Sequence, residues 1–160
     1  MTRLHNESTY KELPVYTGKG PLITDHLDQA YQTMQNALAE HPATLVIRAD
    51  LRFPATPDCP DYPREYNSNV ISRFVESVKS QIKADLARKG RTVNRVHSCT
   101  LRYVWVKERN IAHQDHYHVA IFLNGNTYRH IGDYNATDGN MAARIKKAWG
   151  SALSCDPFTL

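Results

Sequence analysis

A chain of 160 residues, 41% of them hydrophobic and with a formal net charge of +4, is one ordinary globular domain that can bury a core without staples. That composition excludes a disordered protein, and the longest apolar runs, such as Val119 to Leu123, are far too short to cross a bilayer. The polar N-terminus (Arg3, His5, Asn6, Glu7) lacks the apolar core of a secretory leader, so the cytoplasm is the expected location.

Residues 1–20 contain Pro14, Gly18 and Gly20 without periodicity and read as an N-terminal arm, with residues 21–160 as a single domain. Pro21 opens a helical stretch in which Leu22, Leu27, Ala30, Tyr31, Met34, Ala37 and Leu38 recur at helical spacing until His41-Pro42 ends it. Thr44 to Phe53 predicts a strand with Ile47, Ala49, Leu51 and Phe53 on one face and Arg48, Asp50 and Arg52 on the other. Four prolines between Pro54 and Pro63 then predict an irregular connection.

Asn67 to Lys89 carries the strongest helical pattern. Val70, Ile71, Phe74, Val78, Ile82 and Leu86 form its stripe, Ser68 or Asn69 caps it, and Gly90 stops it. Thr100 to Glu108 and Asp115 to Leu123 are strand-like, and the polar stretch Arg109 to Gln114 is short enough to join them as an antiparallel hairpin. A loop through Asp138 precedes a last helix, about Gly139 to Ala152, with Met141, Ile145, Ala148, Trp149 and Ala152 inward. The order predicts an α+β fold, an antiparallel sheet with helices packed on one face and the other face open. Open sheet faces are frequent nucleic-acid platforms. Cys59, Cys99 and Cys155 form no CxxC pair and leave an odd count, so neither a disulfide framework nor a zinc finger is expected.

Chemistry concentrates on the predicted hairpin. His116 and His118 are two apart on a strand and project from one face. If residue 108 pairs with 116 and 106 with 118, Glu108 lies opposite His116 on that same face. Two imidazoles and a carboxylate make a site for Mn²⁺ or Mg²⁺ that leaves positions open for a phosphate. The other face then carries Leu101, Tyr103 and Trp105 against Tyr117, Val119, Ile121 and Leu123, an apolar layer for the helices. The metal face carries Arg102 and, if the first strand joins the sheet, Arg48, Asp50 and Arg52. These arginines, with the basic run from Arg88 to Arg109 and the cluster Arg144, Lys146 and Lys147, suit a phosphate backbone.

The stretches YVWVKE (Tyr103 to Glu108) and HYHVAIFLNG (His116 to Gly125) resemble the HUH endonucleases, which include rolling-circle replication initiators, relaxases and some transposases. More narrowly, RADLRFP (Arg48 to Pro54), the long helix, the HYH hairpin, IGDYN (Ile131 to Asn135) and GNMAARIKKAWGSAL (Gly139 to Leu153) are similar to the inovirus-type replication proteins, also called the YagK/YfjJ domain family, of phages and prophages. The resemblance implies an RRM-like HUH nuclease core and a metal held by Glu108, His116 and His118. It further implies a tyrosine that attacks a single-stranded DNA phosphate to leave a 5′-phosphotyrosine and a free 3′-hydroxyl. The chain departs from the pattern in one respect: its last helix contains no tyrosine. Tyr134, after the HUH strand, is the best placed in sequence, followed by Tyr128 and by Tyr31 on the first helix. The expected activity is nicking and joining of single-stranded DNA. The alternatives are a non-enzymatic nucleic-acid-binding or phage-interference protein on the same fold, and an RNA-binding one.

Overall fold

The computed structural model describes residues 2–54, 69–109 and 115–156; the proline-rich connection, the cap position Ser68 and the loop 110–114 lie outside the described residues. The N-terminal arm is more ordered than its lack of periodicity predicts. Four two-residue strands, β1 (Leu4–His5), β2 (Thr9–Tyr10), β3 (Leu13–Pro14) and β4 (Leu22–Ile23), pair antiparallel as β1 with β4 and β2 with β3. Lys11 and Glu12 join β2 to β3 with φ of 46° and 67°, the left-handed values that a two-residue primed hairpin turn needs. Pairing of Leu22–Ile23 with β1 delays the first helix, α1 (Thr24–Glu40), past the expected Pro21 start. Tyr10 and Lys11 both donate to Asp28 on α1, which ties the arm down.

The main sheet has three strands in the order β5 (Thr44–Arg52), β7 (Asp115–Asn124), β6 (Arg102–Arg109), all antiparallel. Gly125 follows β7 where the chain must pass close to Ala43. Its N–H donates to the Ala43 carbonyl at 2.6 Å, and a Cβ there would stand 2.8 Å from that oxygen.

One face of this sheet carries the core. Ile47, Leu51, Tyr117, Val119, Ile121 and Leu123 meet the apolar stripes of α2 (Asn69–Lys89) and α3 (Met141–Leu153), which pack on each other. The α+β architecture is therefore as expected. Rings of Phe53, Phe74, Tyr117 and Trp149 meet at tilted and edge-on angles, a geometry that adds to simple area burial. Asn140 begins α3 by accepting from the Ala143 N–H at 2.9 Å. Beneath the core, Asp85 of α2 gathers Arg88, Lys89 and Arg144 at 2.6 to 2.9 Å and accepts from the Tyr128 hydroxyl at 3.0 Å.

The opposite face is not bare. Glu40, at the end of α1, pairs with Arg102 on that face, and Ala37 and Phe122 are buried outside the α2–α3 core. Helix α1 thus lies against β6 and β7 at the Asn124 end and leaves the His116 end to the arm and solvent. Among the described cysteines, Cys99 is a free thiol. No described helix is long and apolar enough to cross a membrane.

Candidate metal centre

The pairing of β6 with β7 sets Glu108 opposite His116 and Val106 opposite His118, the register that alternation predicts. Because side chains on a strand alternate, all three functional groups emerge on the face away from α2 and α3. Pairing of β5 with the other edge of β7 places Arg52 opposite His116 and Asp50 opposite His118. The centre of the site is therefore the middle strand, with an acid supplied from each side.

The side chains converge. His116 Nε2 lies 3.2 Å from His118 Nε2, and Glu108 Oε2 lies 2.9 Å from His118 Nε2 and 3.8 Å from His116 Nε2. One donor atom from each residue falls within 4.8 Å of the others. Ligands at about 2.0–2.2 Å from a shared ion are themselves separated by roughly 3–3.5 Å, so the observed triangle fits a divalent cation. The chemistry of the donors points the same way. A neutral His118 whose Nδ1–H faces Asp50 presents only a lone pair to Glu108 and His116, so these inward-facing acceptors call for a cation or a proton among them. A cation held by three protein ligands would keep further coordination positions open.

Electrostatics around the site are acidic and basic by turns. The Asp50 carboxylate, 2.6 Å from His118 Nδ1, holds that imidazole above its ordinary pKa, with burial opposing and Glu108 adding to the rise. Glu108 is held below the usual carboxylate range by His118 and then by Lys19, whose Nζ is 3.9 Å away. Asp50 is lowered in turn by its bond to His118. His116 is 8% exposed, and its Nδ1 has no hydrogen-bond partner among the described residues.

The arginines divide. Arg52 is exposed beside His116 in the register, whereas Arg48 lies 3.2 Å from Asp50 and Arg102 is neutralised by Glu40. Much of the basic run is likewise spent internally, Arg88, Lys89 and Arg144 on Asp85 and Lys147 on Asp138.

The structure does not bring Tyr134 to the trio. Tyr134 is 63% exposed on the loop beyond the far end of β7, and its carbonyl accepts from Lys146 of α3, on the helix-covered side. Tyr128 is buried with its hydroxyl donated to Asp85, and burial first, then that carboxylate, push its pKa far up. Tyr31 lies on α1, on the trio's side of the sheet, with Lys11 Nζ 4.7 Å above its ring. Alternation along β5 puts Asp50 on the same face as the trio without by itself assigning it a partner. Its signal was its alternation with Arg48 and Arg52, which needed the partner strand to become specific.

Residues 5–157 match the model of a family described as the YagK/YfjJ C-terminal domain. The chain is similar to two Escherichia coli (strain K12) proteins, "Uncharacterized protein YagK", 35% identical over 132 residues, and "Uncharacterized protein YfjJ", 33% identical over 141. These matches cover 77% and 84% of this chain and 62% and 67% of the relatives, so the chain spans about two thirds of their length. No solved structure matches.

Proposed function

From the premise that this chain belongs to the YagK/YfjJ C-terminal domain family, we propose that it is a metal-dependent single-stranded DNA nicking and joining domain of the HUH kind. As such it would serve as a replication-initiator-like protein of a phage or prophage, acting in the cytoplasm. The observation that carries this reading is the convergence of Glu108 with His116 and His118 on the exposed sheet face.

In this reading Glu108 Oε2, His116 Nε2 and His118 Nε2 hold Mn²⁺ or Mg²⁺. The bound ion supplies charge stabilisation to a scissile phosphate. Arg52, exposed next to His116, holds the neighbouring backbone, with Arg48 and Arg102 available only once they leave their acids. A tyrosine oxygen forms the new bond to phosphorus as the bond to the 3′ oxygen breaks. The tyrosine proton passes to that departing oxygen, leaving a 5′-phosphotyrosine and a free 3′-hydroxyl. Tyr31 is the described tyrosine whose helix lies on the trio's side, and Tyr134 takes part only if its loop leaves α3. The test is denaturing electrophoresis of labelled single-stranded DNA incubated with the protein and Mn²⁺. A covalent protein–DNA band or a nick is the expected result, and intact DNA with no adduct overturns the enzyme reading.

A second reading has its own observation. Tyr128 is sealed against Asp85 and Tyr134 stands with α3. Such placements suit a non-enzymatic nucleic-acid-binding or phage-interference protein that keeps the metal fold. A mobility shift without cleavage would support it, and preference for RNA over DNA would move the substrate class.

A further inference from the structure

We infer that Asp50 is a positioning residue of the metal centre. It fixes His118 in the Nδ1–H tautomer and so turns the Nε2 lone pair toward Glu108 and His116. The inference rests on reading the trio as a metal site, and it adds a residue from a third strand to that site.

The geometry leaves His118 little choice. Asp50 Oδ1 is 2.6 Å from Nδ1, and the ladder fixes the pair because Asp50 stands directly opposite His118 on β5. Arg48 also approaches Nδ1, at 3.3 Å, but a guanidinium only donates. The hydrogen on Nδ1 therefore belongs to Asp50. Arg48 restrains the acid instead, lying 3.2 Å from Oδ1 and donating to Oδ2 at 3.4 Å. A carboxylate on the far nitrogen orients a ligating imidazole and makes its lone pair more basic. His116 has no such partner among the described residues. Its ring is set by burial and by the edge-on contact with His118, 4.7 Å between centroids. The two histidines are thus unequal ligands, and His118 is the anchored one.

The test compares wild-type protein with Asp50→Ala and Asp50→Asn. Mn²⁺ titration calorimetry should show a loss of about 10- to 100-fold in affinity for Asp50→Ala, the range that such outer partners typically control. Asp50→Asn should lose less, because an amide oxygen still accepts from Nδ1–H. Nitrogen-15 spectra of the metal-free neutral imidazole should report Nδ1–H at His118 in wild type and a shift toward Nε2–H in Asp50→Ala. A merely structural carboxylate would move neither readout, and Asp50 is exposed enough that the thermal midpoint should barely change. Wild-type Mn²⁺ affinity in Asp50→Ala, or an unchanged tautomer, overturns the inference and leaves the metal reading standing. Failure of the wild-type protein to bind Mn²⁺ sinks the metal reading and this inference with it.

Discussion

Glu108 on β6 stands directly across the ladder from His116 on β7, and its carboxylate reaches diagonally to His118, 2.9 Å from Nε2. The acid thus addresses both histidines from one position, because cross-strand neighbours lie within about 5.5 Å and diagonal ones within reach of a long side chain.

Removing any one of the three should therefore disable the centre. His118→Ala and Glu108→Gln are expected to lower Mn²⁺ affinity at least tenfold by calorimetry, with circular dichroism unchanged, because both side chains border solvent. His116→Ala should do the same with a somewhat larger loss of stability, its ring being buried. Unchanged affinity in any of these variants would remove that residue from the ligand set.

Salt dependence should separate the arginines. If single-stranded DNA follows the metal face, Arg52→Glu should weaken binding and flatten the slope of log affinity against log salt by about one. Arg102→Glu should cost stability more than binding, since it sets a second acid against Glu40. Equal effects of the two substitutions on DNA binding would contradict this division.

The nucleophile can be located by trapping. Mass spectrometry of the linked peptide should find the adduct surviving Tyr134→Phe, and Tyr31→Phe tests whether α1, docked toward the Asn124 end of the sheet, brings its tyrosine to the trio. The reverse result would mean that the loop carrying Tyr134 leaves α3 to reach the face.

Asp85 supplies the acid limit of the fold. Burial alone would raise its pKa, but Lys89, Arg88 and Tyr128 bind the ionised form and, with Arg144, hold it at about 2. A depressed folded-state value means that this stabilisation is complete above the unfolded pKa of about 3.9 and is lost as pH falls toward 2. Its size is on the order of 2 kcal/mol. Asp85→Asn should flatten stability against pH in that window. It should also cost about 3 kcal/mol at neutral pH, because three cations lose their counter-charge. Denaturant melts across the range provide the check.

What the sequence determined was written in short-range periodicity. Alternation along 102–109 and 115–124 put Glu108, His116 and His118 on one face and Tyr117, Val119, Ile121 and Leu123 on the other. Helical spacing named the inward residues of α2 and α3. Alternation has a period of two, so a wrong register would have exposed the whole core layer, and burial selects the right one. Other features hang on which distant segments meet. Only the docking of β5 on the free edge of β7 gives Asp50 to His118, and only α1 crossing the sheet end gives Glu40 to Arg102. The sealing of Tyr128 likewise needs α2 to bring Asp85 beneath it. Such contacts join residues tens of positions apart, where no local pattern in the chain records the partner, and packing of the whole core decides them.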